Sequence, residues 1–238
     1  MITGGANGIG AALARAAAAV GATVVICDRD TDAGVALANS ASGIHFFNLD
    51  VSDRNAVFAT MSAIETRFER IDGLVCGAAI QPRIPAHEIH PDTWRKTLSI
   101  NLDGVVWCYQ AAIRGMMTRR RGSIIAFSSG LAATGWPDAA AYAASKAALG
   151  AFVRSAAKEV AAHRVRVNLV SPGVIDTPQY RAANAGGDSS HWQRTLGVGT
   201  PEDVVGPLLF LLSDAATMTA SWLSRDYCYP ANDEGAER

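Results

Sequence analysis

The residues with the clearest chemical potential in this chain are Tyr142 and Lys146, which lie four positions apart in an alanine-rich segment. Four residues make about one turn of an α-helix, so both side chains should project from the same helix face. A lysine ammonium near a phenol favours the phenolate, and we expect it to lower the pKa of Tyr142 from about 10 toward the working pH. A phenol tuned in this way can exchange a proton with a substrate oxygen. The same spacing also occurs on solvated helices, so the other motifs must decide what the pair means.

A glycine-rich segment, TGGANGIG, occupies residues 3–10. Its glycines would let the backbone turn tightly and approach a pyrophosphate at the N-terminus of the helix predicted at 11–20. The apolar, β-branched run at 22–27 is typical of a buried strand, and Asp28 stands at its end. A dinucleotide-binding fold places at this point the carboxylate that binds the adenosine ribose hydroxyls. The order of turn, helix, strand and acidic residue therefore predicts a nucleotide site.

Taken together, these motifs resemble the short-chain dehydrogenase/reductase (SDR) family over residues 3 to about 226. The glycine-rich segment has the family's TGxxxGxG spacing. Ser129, thirteen residues before Tyr142, matches the family's catalytic serine better than its neighbour Ser128. The resemblance implies a catalytic tetrad of Asn101, Ser129, Tyr142 and Lys146.

The resemblance also implies a bound nicotinamide dinucleotide. Asp50 and Val51 match a pair that lies against the adenine, and residues 168–177 match the segment that lines the nicotinamide. Asp28 predicts NAD rather than NADP because a carboxylate repels a 2′-phosphate, although the adjacent Arg29 could pair with that phosphate. The predicted cofactor-binding residues are Gly4, Asn7, Gly8, Ile9, Gly10, Asp28, Asp50, Val51, Gly77, Tyr142, Lys146, Pro172, Gly173, Val174, Ile175 and Thr177.

The chain departs from the family's pattern at three places. Gly77 stands where the family usually has an asparagine that ties neighbouring strands together, so we expect weaker backbone support near the adenosine. The usual Asp-Gly-Gly near the C-terminus reads Asp-Tyr-Cys at 226–228, so we expect a different course there. Only Met1 and Ile2 precede the glycine-rich segment, whereas a strand usually has about five residues. We expect either a start upstream of Met1 or a first strand reduced to a stub.

Strand-like and helix-like runs alternate along the chain, which predicts an α/β fold with right-handed crossovers. The 238 residues suit one domain at 1–238, a Rossmann-type doubly wound parallel sheet with a truncated first strand. A hydrophobic fraction of 49% fits a sheet covered on both faces. Further strands are predicted at 23–27, 44–48, 73–77, 122–127, 165–170 and 222–226.

Composition excludes several classes of protein. A formal charge of −1 lacks the excess of positive charge that is typical of nucleic-acid-binding proteins. No segment predicts a membrane span or a signal peptide, and neither the histidines nor the cysteines show the spacing of a metal site. The four cysteines indicate core thiols in a reducing cytoplasm. Helices predicted at about 101–118 and 138–160 are apolar on several faces, which predicts a homotetramer or homodimer.

A long stretch predicted to be irregular, 177–200, follows the nicotinamide segment, and we expect it to form a lid over the substrate. The residues predicted to line the substrate site combine aromatic and apolar groups, which do not distinguish a sugar, a steroid, an acyl thioester or an aromatic alcohol. They are Ala79, Ile80, Gln81, Leu131, Trp136, Gln179, Tyr180 and Trp192.

The predicted activity is the NAD(H)-dependent interconversion of a secondary alcohol and a ketone. Tyr142 would be the general acid/base, and Ser129 would hydrogen-bond the substrate oxygen. By the resemblance, Lys146 also binds the nicotinamide ribose, and Asn101 holds a water that links Lys146 to solvent. Two alternatives remain: a nucleotide-binding sensor or scaffold without turnover, and a dehydration or epimerisation on the same scaffold. The complete tetrad argues against the first, and the chain length and glycine spacing argue against the second.

Overall fold

The strands form one parallel sheet in a computed structural model, which describes residues 1–185, 192 and 197–225. The strands are β1 (Ile2–Thr3), β2 (Val24–Asp28), β3 (Ile44–Asn48), β4 (Gly73–Cys76), β5 (Gly122–Phe127), β6 (Val165–Ser171) and β7 (Trp222–Ser224). The strand order is β3-β2-β1-β4-β5-β6-β7, so the direction of winding reverses between β1 and β4. Such a reversal is the switch point at which doubly wound sheets bind ligands.

Helices cover both faces of this sheet, as the sequence predicts. The helices are α1 (Gly8–Ala19), α2 (Thr31–Ser40), α3 (Arg54–Phe68), α4 (Pro91–Leu98), α5 (Gly104–Arg119), α6 (Leu131–Thr134), α7 (Ala140–Val160), α8 (Pro178–Ala183) and α9 (Val205–Leu212). Neighbouring strand residues point to opposite sides: Leu74 and Ile124 pack beneath α3, α5 and α7, whereas Val75 and Ile125 pack beneath α1, α2 and α9. None of the helices among the described residues is long and apolar enough to cross a membrane.

The first strand has only two residues, yet it pairs with a neighbour on each side. Ile2 is in register with Ile26 of β2 and Val75 of β4. Next to it, the Gly77 N–H donates to the Thr3 carbonyl (3.0 Å) and lies 3.2 Å from the Thr3 hydroxyl. A Cβ at position 77 would lie 2.8 Å from that carbonyl oxygen. Glycine at position 77 therefore suits the close approach of Thr3, and main-chain contacts join the two segments there; the effect of losing an asparagine side chain at this position stays a prediction.

Two predicted segments differ from the observed structure. The helix predicted at 101–118 begins earlier, as α4, and continues through a π-helical turn at Ser99–Asp103 into α5. The stretch predicted to be irregular at 177–200 contains α8, which the Thr177 hydroxyl caps by accepting from the Tyr180 N–H (3.1 Å). Residues 186–191 and 193–196 of that stretch, and the departure from the family's pattern at 226–228, lie outside the described residues.

Candidate active site

A cavity of about 880 Å³ opens at the carboxyl ends of the strands, at the switch point between β1 and β4. Its wall contains every residue predicted to bind the cofactor and every residue predicted to line the substrate site. Ser129, Tyr142 and Lys146 lie on the same wall. Asn101 is not among the described residues that line the cavity, because it is fully buried behind the wall.

Ser129 and Tyr142, the two residues predicted to handle the proton of the substrate, lie together on the cavity wall. Ser129 follows β5, and its Oγ accepts from the Leu131 N–H (3.2 Å). Burial raises the pKa of the Tyr142 phenol, and a hydrogen bond from Ser129 and the positive charge of Arg83 oppose that rise. Ser128 instead points into the core and donates to the Lys146 carbonyl (3.1 Å). Ser129 is therefore the serine that contacts the phenol.

Lys146 does not lower the pKa of the phenol in the way that the spacing predicts. Its Nζ donates to the Phe127 carbonyl (2.8 Å) and lies 5.8 Å from the centre of the Tyr142 ring. Because the ammonium is buried, the pKa of Lys146 falls to about 8. Helical spacing brought the two side chains to one face, but a main-chain acceptor on β5 sets the direction of the ammonium.

Asn101 lies in the π-helical turn between α4 and α5, and its side-chain amide bonds to the protein in three directions. The Oδ1 accepts from the Ile80 N–H (2.8 Å), and the Nδ2 donates to the Ile80 carbonyl (2.9 Å) and to Ser145 Oγ (3.1 Å). Ile80 lines the cavity, and Ser145 precedes Lys146 on α7. Asn101 thus fastens the loop after β4 to the helix that carries Tyr142.

The opposite end of the cavity has the geometry of a nucleotide site. The turn at 4–8 leads directly into α1, and a Cβ at Gly10 would collide with the Gly4 carbonyl oxygen. Glycine is therefore required for this tight turn at the N-terminus of a helix, which favours an anion. Asp28 at the end of β2 accepts from the Ala6 N–H (3.0 Å) and the Asp30 N–H (3.1 Å), which fixes its carboxylate at the cavity wall. These residues fit the pyrophosphate and ribose of a dinucleotide.

Arg29 is directed toward Asp50. The Arg29 Nη1 lies 3.7 Å from Asp50 Oδ2, and both side chains are about half exposed. The second carboxylate oxygen of Asp50 accepts from the Ser52 N–H (2.9 Å) and hydroxyl (2.7 Å). Burial opposes ionisation of Asp50, but the Ser52 hydrogen bonds and the Arg29 charge outweigh it and lower the pKa. The guanidinium that could favour NADP already has an acidic neighbour.

The substrate end of the cavity combines an aromatic wall with two basic residues that the sequence analysis missed. The rings of Trp136 and Trp192 lie in contact, with centroids 4.4 Å apart. Arg83, in the loop after β4, and Arg225, after β7, also line the cavity. Arg83 lies seven residues after the end of β4, and no periodic pattern in the sequence marks it.

The fold and site define a dinucleotide-binding α/β protein, and comparisons with known proteins identify its family. A family model described as enoyl-(acyl carrier protein) reductase matches residues 4–226. The cis-4-hydroxycyclohexanecarboxylate dehydrogenase of Sinomonas cyclohexanicum is 37% identical over 91% of this chain and 90% of its own length. The galactitol 2-dehydrogenase of Rhizobium johnstonii is 36% identical over 92% of this chain and 89% of its own length.

A solved structure gives the same result. The 3-ketoacyl-(acyl-carrier-protein) reductase from Brucella melitensis, crystallised in complex with NADH, is similar with a TM-score of 0.86 and 25% identity over 94% of each chain. The chain belongs to the short-chain dehydrogenase/reductase family and is an oxidoreductase of that type. The predicted family and fold are therefore confirmed.

Proposed function

We propose that the protein interconverts a secondary alcohol and a ketone with NAD(H) as cofactor. The observation that carries this proposal is that Ser129 and the Tyr142 phenol lie in one cavity with the nucleotide-type turn and Asp28. The relatives named above are dehydrogenases and a reductase, which are enzymes for the two directions of such a reaction.

In this mechanism, Tyr142 and Ser129 hold the substrate oxygen and manage its proton. The raised pKa of Tyr142 keeps the phenol protonated at neutral pH, so it is ready to donate to a ketone oxygen. In alcohol oxidation the phenol must first lose its proton, and the Ser129 hydrogen bond favours the phenolate. A bound nicotinamide supplies or accepts the hydride.

Lys146 and Asn101 support this pair from behind. The pKa of about 8 for Lys146 allows its ammonium to exchange protons near the working pH, and its position on the cavity wall suits contact with the nicotinamide ribose. The Asn101 amide is engaged by Ile80 and Ser145, so its contribution is to position the loop and α7. The role of Asn101 in holding a water, which the resemblance implies, stays a prediction.

NAD is favoured over NADP by the charges at the end of β2. A 2′-phosphate would approach the fixed carboxylate of Asp28, and the Arg29 guanidinium lies beside Asp50. Repulsion by Asp28 therefore dominates.

The segment 177–200 is proposed as a substrate lid because its described parts contribute to the cavity wall. Helix α8 carries Gln179 and Tyr180 to that wall, and Trp192 contacts Trp136. We also propose a cytoplasmic homotetramer or homodimer. Three cysteines of the described part of the chain are free and buried, which suits a reducing compartment, and exposed apolar side chains on α9 and β7 suit an interface.

The direct test is the absorbance of reduced nicotinamide while the protein is mixed with NAD and a panel of secondary alcohols, or with NADH and the matching ketones. Turnover that saturates with the alcohol or ketone is the expected result. Binding of NAD without turnover of any panel member would favour a nucleotide-binding sensor instead. Elimination or inversion of an alcohol with no net change in cofactor would favour a dehydratase or epimerase.

A further inference from the structure

A guanidinium nitrogen and a phenol oxygen stand unpartnered at the substrate end of the cavity. Arg83 Nη1 and the Tyr180 hydroxyl are buried from solvent, and neither has a hydrogen-bond partner among the described residues. Both side chains line the cavity, and the two groups interact electrostatically with each other. A buried donor without a partner is costly, so such atoms commonly mark the place where a ligand binds.

The surroundings of Arg83 leave its positive charge without a close counterion. No carboxylate of the described residues forms an ion pair with Arg83, although Asp138 contributes at longer range. Arg225, by contrast, lies 3.4 Å from Asp203. The described carboxylates on the cavity wall are Asp28 and Asp50, which both lie at the nucleotide end. Among the described residues, the substrate end therefore carries the positive charge of Arg83 with no carboxylate paired to it.

Arg83 is also held close to the reacting pair. The neighbouring Ile84 N–H donates to the Asp138 carbonyl (2.8 Å), which ties the loop after β4 to the segment that enters α7. The charge of Arg83 acts on the Tyr142 phenol, so the guanidinium lies on the Tyr142 side of the cavity. The phosphate-type turn at 4–8 lies at the other end, which makes a cofactor phosphate an unsuitable counterion for Arg83.

We propose that the substrate of this dehydrogenase carries an oxyanion, a carboxylate or a sulfonate, that binds to Arg83 and Tyr180 while its alcohol or ketone oxygen meets Tyr142. This inference deepens the proposed function and rests on it. A guanidinium presents several N–H donors in a plane, which suits the two oxygens of a carboxylate, and the Tyr180 hydroxyl adds a further donor. The Trp136–Trp192 wall suits the apolar skeleton between the two ends of the molecule.

The kinetic test compares substrates that differ only in the charged group: a cyclohexanol that bears a carboxylate, a sulfonate or a carboxamide. In the unaltered protein, kcat/KM should be at least about 10-fold higher for an anion than for the amide, the scale of a hydrogen bond to a charged group. The anion with the higher kcat/KM shows whether the site is suited to a carboxylate or to a sulfonate. Equal kcat/KM values for the anions and the amide would overturn the proposal.

Variants separate anion recognition from an effect of Arg83 on Tyr142. Arg83→Gln should lower kcat/KM for the anionic substrate to near that of the amide and change the amide little, whereas Arg83→Lys should retain part of the preference. Tyr180→Phe should reduce the preference for the anionic substrate less than Arg83→Gln does. Arg15→Gln, on the exposed side of α1, is the matched control and should leave it unchanged. An equal loss for both substrates in Arg83→Gln would show that Arg83 acts only through the phenol, and would overturn the proposal.

A binding measurement keeps the inference independent of turnover. In the presence of NADH, cyclohexanecarboxylate or cyclohexanesulfonate should raise the Tm of the protein more than cyclohexanecarboxamide does, and Arg83→Gln should remove the difference. If no alcohol or ketone is turned over, the proposed reaction fails, and this shift still decides whether the site binds oxyanions. Equal shifts by anions and amide would refute the anion site.

Discussion

Replacing Tyr142 with phenylalanine tests the proposed chemistry most directly, because it removes one oxygen from a buried ring. The ring remains on α7, so the packing of the helix is retained. The lost hydrogen bond with Ser129 should lower the free energy of unfolding by about 0.5–1.5 kcal/mol, which is small beside the stability of about 5–15 kcal/mol of a folded domain. Tyr142→Phe is therefore expected to fold.

The catalytic loss should be much larger than the loss of stability. General acid/base catalysis contributes about 100-fold to 10,000-fold, so kcat should fall by at least about 100-fold, or about 2.7 kcal/mol in activation free energy. Affinity for NAD should change little, because the cavity offers most of its nucleotide contacts elsewhere. Steady-state kinetics and a fluorescence titration with NADH would measure the two quantities.

A matched variant controls for the loss of a buried tyrosine hydroxyl. Tyr109 on α5 is also buried and packs edge-on against Phe152, but it is not among the described residues that line the cavity. Tyr109→Phe should keep kcat within about two-fold, since substitutions outside a functional site act mainly on stability. If Tyr142→Phe retains near-normal kcat, or if both variants lose the same activity, the assignment of Tyr142 as acid/base is refuted.

Three further predictions concern the cofactor, the pH profile and the assembly. Asp28→Ala should lower the ratio of kcat/KM with NAD to kcat/KM with NADP, whereas Asp32→Ala, at an exposed position, should leave this ratio unchanged. An unchanged ratio in Asp28→Ala would refute the role of the Asp28 carboxylate. Ser129→Ala removes a hydrogen bond that favours the Tyr142 phenolate, so the pKa of Tyr142 should rise and the pH profile of alcohol oxidation should move to higher pH. An unchanged pH profile would contradict the contact between Ser129 and Tyr142. Light scattering should return two or four times the chain mass, and a value near 24.9 kDa at micromolar concentration would exclude the oligomer.

The sequence predicted those features that local order determines. The position of Asp28 follows from a turn, a helix and a strand in succession, and the structure brings it to the cavity wall. The resemblance favoured Ser129 over Ser128 because of its spacing from Tyr142; in the structure Ser129 acts on the phenol, whereas Ser128 donates to the Lys146 carbonyl. In both cases a short segment carries all the information that fixes the position of the side chain.

Features that depend on contacts between distant segments were not predictable in this way. The direction of Lys146 depends on a carbonyl of β5, and the tie at Gly77 depends on the approach of Thr3. The π-helical turn around Asn101 breaks the regular helical period, and its side chain bonds to Ile80, 21 residues earlier. Arg83 was missed because a loop has no periodicity that reveals which residues face a cavity.

The hold of Asn101 on the main chain of Ile80 has a consequence for how this scaffold can diversify. Because the Asn101 amide bonds to the main-chain N–H and carbonyl of Ile80, it holds the loop in place whatever side chains follow Ile80. Gln81 and Arg83 follow this anchored residue on the cavity wall, while the same amide holds α7 in place through Ser145. If the proposed function holds, mutation can therefore vary the side chains that contact the substrate without displacing the residues that transfer its proton. Substrate range and reaction chemistry are inherited as separable traits in such an arrangement.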